Sequence, residues 1–210
     1  MSAEKRDFDK DAAGWDENPV RTKLANDIAG TLTRQMALDP RMDVLDFGCG
    51  TGLLSLAWAP RVKTLTGVDS SRGMLEVFAA KAARQNLANV RTQHLDLDRG
   101  DILTGRFDLI ASSMTLHHIQ DIRRLLHQLY HVTAPSGHLC IADLDLDGGQ
   151  FHENNTGVFH PGFERATLRQ AFADAGFENI RDTMAAEITK PTTHGGLRQF
   201  TVFLMTGTKK

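Results

Sequence analysis

From about residue 43 to residue 190, short apolar runs alternate with stretches of helical periodicity, and no other property of the chain restricts its fold as much. Met42 to Phe47, Val62 to Val68, Val90 to Leu95, Phe107 to Ala111 and His138 to Asp143 read as strands. Leu53 to Trp58, Ser71 to Gln85 and Ile122 to Val132 read as the helices between them. Met74, Leu75, Phe78 and Ala82 share one face of the second helix, and Asp121 is placed to cap the third. Strands separated by helices re-enter a sheet in parallel, through right-handed crossovers. The expected fold is α/β, a doubly wound and mostly parallel sheet with helices on both faces.

The C-terminal part departs from this rhythm. Arg165 to Ala175 reads as a helix stopped by Gly176. Phe177 to Ile188 and Gln199 to Thr206 read as strands joined by a loop with Pro191, Gly195 and Gly196, a reversed hairpin at the sheet's edge that completes seven strands. Pro135–Gly137 is expected to turn the chain into the fifth strand. Residues 1–40 are expected to form a helical cap over the sheet's C-terminal edge, with a helix from Val20 to Met36 started by Pro19. The 210 residues suit a single domain, 1–210, with the core at 41–210.

Composition narrows the partners. The formal net charge is -2 and no Lys/Arg block occurs, so no nucleic-acid partner is expected. No apolar run approaches the roughly 20 residues of a spanning helix, so no membrane partner is expected. The charged N-terminus, MSAEKRDFDKDAAGWDE, has no secretory core. Cys49 and Cys140 form no CxxC, which fits a reducing cytoplasm. A monomer or homodimer is expected.

The chemistry-bearing segment is Asp46 to Gly52 (DFGCGTG), where the first strand turns sharply toward the next helix. Alternate glycines let a ligand approach the backbone without meeting a Cβ atom. A dinucleotide site asks for a small sixth residue after the first glycine and for a helix N-terminus to seat pyrophosphate. Leu53 holds that sixth position, and the acidic Asp46 precedes the turn. Both disfavour a nicotinamide cofactor, and Asp46 favours an ammonium or sulfonium. Asp69, ending the second strand, is suited to accept hydrogen bonds from ribose hydroxyls, and Asp96, after the third, to hold an adenine amino group.

With these residues the sequence resembles the class I, seven-stranded S-adenosylmethionine-dependent methyltransferases of small molecules, with a Rossmann-like sheet. DFGCGTG resembles their first motif and implies that Asp46, Gly48, Cys49 and Gly50 surround the methionine moiety of S-adenosylmethionine. GVDSS resembles the second, with Asp69 and Ser70 on the ribose and Met74 packed on the adenine. HLDLD resembles the third, placing Asp96 and Leu97 beside the adenine. FDLIASSMTLHHI resembles the fourth, with Ser112 or Ser113 near the amino-acid end of the cofactor. FDKDAAGWDENPVR resembles an N-terminal segment of small-molecule members in which Trp15 or Arg21 approaches the cofactor. The absence of Asn/Asp-Pro-Pro-Tyr/Phe after the fourth strand disfavours methylation of adenine or glutamine amides.

Methyl transfer from a sulfonium is an in-line displacement, so the protein aligns the groups and excludes water. An oxygen or nitrogen acceptor also asks for a base, usually histidine. His118, after the fourth strand, and His160, in the loop 145–165 expected to line the acceptor pocket, are the candidates; His117 adjoins the first. His152, Glu153 and His160 are too loosely spaced to predict a metal, and none is expected. Cys49 reads as a small residue the turn tolerates, and Trp58 as core. Two other readings remain open: a catalytically silent S-adenosylmethionine-binding protein and, less favoured, a nicotinamide oxidoreductase.

Overall fold

The computed structural model describes residues 6–192 and 195–210. Its centre is a seven-stranded sheet built from β1 (Asp43–Phe47), β2 (Thr64–Asp69), β3 (Val90–His94), β4 (Phe107–Ser113), β5 (Thr133–Leu144), β6 (Glu178–Pro191) and β7 (Leu197–Thr208). The spatial order is β3-β2-β1-β4-β5-β7-β6. The first five strands pair in parallel, whereas β7 is antiparallel to both β5 and β6. Reversal is thus confined to one strand. The hairpin's outer strand, β6, again runs in the direction of β5. Residues 193 and 194 of its loop, like residues 1–5 of the expected cap, lie outside the described residues.

Alternation within each strand feeds two core layers, which is why the central strands are apolar on both faces. Val44, Leu109, Cys140 and Ala142 point into one layer. Their neighbours Leu45, Ile110, Leu139 and Ile141 point into the other. The first layer is covered by α2 (Pro19–Gln35) and α3 (Arg72–Arg84), through Ile28, Leu32, Leu75 and Phe78. The second is covered by α4 (Ile122–Val132) and α5 (Arg165–Ala175), through Leu126, Leu129, Leu168 and Phe172. Asp121 caps α4 by accepting from the Arg124 amide, and Gly176 ends α5 in the left-handed conformation.

Three expectations are corrected. Leu53 to Trp58 is no α-helix; the chain makes short 3-10 turns at Ser55–Ala57 and Ala59–Arg61. Pro60 explains this, because it lacks an N–H and disfavours an α conformation in the residue before it. The Trp58 indole N–H, bonded to Thr33 Oγ1 at 3.0 Å, ties the segment to α2 instead. The N-terminal cap also divides. Its α2 is a full layer of the fold, fastened to β6 by Thr31 Oγ1 donating to the Ala185 carbonyl. Only the short helix α1 (Phe8–Asp11) and a 3-10 turn at Ala12–Glu17 remain as a cover. Finally, the expected Pro135–Gly137 turn lies within β5, where Ser136 has φ 62°.

Phe172 is fully buried and packs on Phe177 at 5.7 Å between ring centroids. Phe172→Ala is expected to cost about 3–5 kcal/mol of stability, read from the urea unfolding midpoint.

Candidate active site

In a parallel sheet whose order runs 3-2-1-4-5, the crossovers leave β1 in opposite directions and a crevice opens beyond the C-terminal ends of β1 and β4. Here that crevice is a cavity of about 890 Å³. Its floor is the glycine turn after β1. Four of the turn's amides are already bonded: Gly48 and Cys49 donate to the Val68 carbonyl, Gly50 to Asp69 Oδ2, and Gly52 to the Cys49 carbonyl. No α-helix follows to gather further amides. The turn therefore offers a pyrophosphate few of its amides.

The glycines differ in what they permit. A Cβ on Gly52, at φ +79°, would lie 2.3 Å from the Phe78 ring, and one on Gly48 would lie 2.3 Å from Thr115. Those two are required by packing. A Cβ on Gly50 would meet nothing within 4 Å, so this residue alone of the three faces open space.

Two carboxylates border the turn. Asp46 is buried and accepts from the Ser55 hydroxyl. Burial raises its carboxyl to about 7, and the nearby Asp69 adds to the rise. Asp69 accepts from the Gly50 amide at 2.8 Å and the Ser71 amide at 2.9 Å. Burial raises its carboxyl too, although those amide bonds oppose the rise. Each oxygen keeps a further acceptor position. Burial likewise lifts the Cys49 thiol well above its usual value, so it is a neutral packing residue. Ser70, Met74, Asp96 and Leu97 continue the wall on this side. Asp96 Oδ1 accepts from the Asp98 amide at 3.0 Å.

Of the serines at the end of β4, Ser113 lines the cavity. Ser112 does not; it is buried within the sheet with its Oγ unbonded. The roof comes from the N-terminal segment. Trp15 lines the cavity with the Arg21 guanidinium 4.0 Å from its ring. Asp9 and Asp16, which sequence reasoning missed, tether this segment. Asp9 Oδ1 accepts from Ser71 Oγ at 2.5 Å and the Gly73 amide at 2.8 Å. Asp16 accepts from Thr51 Oγ1 and Lys81 Nζ, both at 2.6 Å.

The far end holds a histidine cluster. His117 and Asp143 are both buried, with Nδ1 2.7 Å from Oδ1. A carboxylate only accepts, so Nδ1 carries the proton. Burial pushes the Asp143 carboxyl up, but the charge and hydrogen bond of His117 hold it below its usual value. His118 Nδ1 donates to the Gly157 carbonyl at 2.7 Å, and burial lowers its pKa to about 4. His152 comes from the expected acceptor loop; burial lowers its pKa to about 3, and its Nε2 has no partner. Phe151, Glu153 and Phe159 of that loop also line the cavity. His160 does not. Its ring lies against Phe163 and its Nε2 is 2.9 Å from the Ile119 carbonyl, outside the cavity wall.

The family model for a methyltransferase domain matches residues 20–182. The chain belongs to this methyltransferase family. It is 32% identical over 153 residues to an uncharacterized methyltransferase of Schizosaccharomyces pombe, covering 66% of this chain and 54% of that one. It is 34% identical over 131 residues to a ubiquinone biosynthesis O-methyltransferase of Coxiella burnetii, covering 61% and 51%. The chain thus spans about half the length of these curated relatives. The YcgJ protein of Bacillus subtilis shares the fold with a TM-score of 0.73 at 17% identity, covering 88% of this chain and 99% of that one. So does phosphoethanolamine N-methyltransferase 2 of Haemonchus contortus, solved with S-adenosyl-L-methionine, with a TM-score of 0.71 at 15% identity and coverage of 96% and 60%.

The two glycine environments make a paired prediction. Gly52→Ala is expected to lower the melting temperature sharply through the Phe78 clash. Gly50→Ala is expected to cost about 1–2 kcal/mol of backbone strain and otherwise only to add a methyl group to the cavity wall. Melting curves with and without S-adenosylhomocysteine check both.

Proposed function

We propose that this methyltransferase transfers the methyl group of S-adenosylmethionine to a small-molecule acceptor. The carrying observation is one continuous cavity of about 890 Å³ joining the carboxylates of the glycine turn to the histidine cluster. That volume lies within the roughly 300–1,000 Å³ usual for small-molecule sites. The donor set suits this cofactor: an open Gly50, turn amides already largely bonded, and a buried Asp46 and half-buried Asp69 for a cationic amino acid and a ribose. The Haemonchus enzyme's complex with S-adenosyl-L-methionine, on the same fold, supports the same reading.

S-adenosylmethionine, when bound, supplies an electrophilic methyl on a sulfonium. The chain's residues do the rest. Asp46, Gly48, Cys49, Gly50 and Ser113 would enclose the amino-acid end, Asp69 and Ser70 the ribose, and Met74, Asp96 and Leu97 the adenine. Trp15 and the tethered N-terminal segment exclude water from above. His118 stands at the acceptor end, neutral at pH 7, with Nδ1 engaged and Nε2 available to a hydroxyl, thiol or amine. His160 supports the loop from outside.

Incubation with methyl-labelled cofactor across hydroxyl, thiol and amine acceptors is expected to give label transfer. Tight binding with no transfer to any of them would turn the reading to a silent binding protein. Stabilisation by NAD but not by S-adenosylhomocysteine would overturn the cofactor.

Asp69→Ala is expected to weaken S-adenosylhomocysteine binding by about 1–3 kcal/mol in calorimetry. Asp46 makes the binding pH-dependent. Its raised pKa means that its protonated form persists until pH rises through about 7. A ligand ammonium beside it favours the carboxylate, so binding at about pH 6 releases a proton, and affinity rises with pH and levels off above 7. Calorimetry in buffers of different ionisation heat measures this release, which Asp46→Asn is expected to reduce.

A further inference from the structure

We infer that His117, His118 and His152 form a binding site for a Zn²⁺-class transition-metal ion at the acceptor end of the cavity. One ring nitrogen from each lies within 4.8 Å of the other two, the only such cluster of potential ligands among the described residues. Chain order hides the set, because two members sit in the 3-10 turn Leu116–His118 after β4 and the third arrives from the loop after β5.

The arrangement around the cluster is that of oriented ligands. A metal-bound histidine donates its second ring N–H to a carboxylate or a backbone carbonyl, which fixes the ring and leaves the other nitrogen's lone pair for the ion. His117 has the carboxylate, Asp143, at 2.7 Å from Nδ1. His118 has the carbonyl, Gly157, at 2.7 Å from Nδ1. Both therefore keep Nε2 for coordination. His152 contributes the independent sign: its Nε2 is buried and bonded to nothing. An unbonded buried nitrogen is costly, and an ion beside it removes the cost.

Tetrahedral Zn²⁺–nitrogen bonds of about 2.0–2.1 Å separate ligand atoms by about 3.4 Å, so nitrogens within 4.8 Å of one another need to close by at most about 1.4 Å. Three protein ligands leave a fourth position, and all three histidines line the cavity, so that position opens into it. The cations Arg6 and Lys190 also line the cavity near His152 and favour an anionic fourth ligand. What the ion does there rests on the proposed methyl transfer: it takes over from His118 the holding of an acceptor's thiolate or oxyanion.

The test uses the untagged full chain, stripped of metal and titrated with Co²⁺ and then Zn²⁺ in the absence of S-adenosylmethionine. One Co²⁺ per chain with the strong visible bands of a tetrahedral centre, displaced by Zn²⁺, is expected. His152→Ala is expected to weaken binding by more than about 100-fold, beyond the 10–100-fold typical of losing an outer partner. His152 Nε2 bonds nothing, so the variant loses ring packing on His117 and Phe151 but no hydrogen bond, and its unfolding is expected to stay cooperative with only a modest fall in melting temperature. Imidazole nitrogen NMR of the unaltered chain gives a second readout, with Zn²⁺ shifting Nε2 of these three histidines together. Absence of tetrahedral bands, equal affinity in His152→Ala, or shifts at other histidines would overturn the site. None of these readouts involves cofactor, so their failure is distinct from a failure to transfer methyl groups.

Discussion

The bond from the Gly50 amide to the Asp69 carboxylate is the interaction on which the site depends. It joins the turn after β1 to the end of β2 and fixes the turn with Gly50 facing open space. It also holds a carboxylate against burial, at a point where a second one, Asp46, is already buried. Two acids so close in a dry setting repel each other and resist ionisation, which a cationic ligand relieves. The same bond uses up the amide that a phosphate would need. Cofactor preference thus follows from how the backbone closes this turn, as well as from the charges around it.

What could be read from the sequence was whatever repeats at a fixed local period. The strands of the doubly wound sheet, α4 with its Asp121 cap and α5 with its Gly176 stop all follow from alternation and end signals within a few residues. The helix expected at Leu53 to Trp58 failed because its apolar spacing was right while Pro60, just beyond, cut it short. The α2 layer was found as a helix but misplaced as a cap, since periodicity says which face is apolar and not which surface receives it.

The site divides in the same way. Asp46, Gly50, Asp69 and Ser113 follow strand ends, and a strand's direction places its end at the crevice. His160 was misplaced because a loop's sequence does not tell which side faces inward; the inward histidine is His152, eight positions earlier in the same loop. The pairing of His117 with Asp143 joins the turn after β4 to β5 through a contact that leaves no periodic trace. Asp9 and Asp16 were invisible for a related reason: each looks like a solvated acid in a charged N-terminal segment until Ser71, Gly73, Thr51 and Lys81 are brought to it.

Those tethers have a thermodynamic consequence. The cavity wall is drawn from stretches as distant as Trp15, Gly50, Asp96, His118, Phe151 and Lys190, so no partly folded chain contains it. A ligand that touches the roof and the floor together acts as a reversible cross-link between the N-terminus and the sheet. Its binding energy adds to the stability of a segment fastened by polar and ring contacts rather than by either core layer. Occupancy and protease resistance of residues 6–17 are therefore two readings of one equilibrium, and the N-terminus reports on whether the cavity is filled.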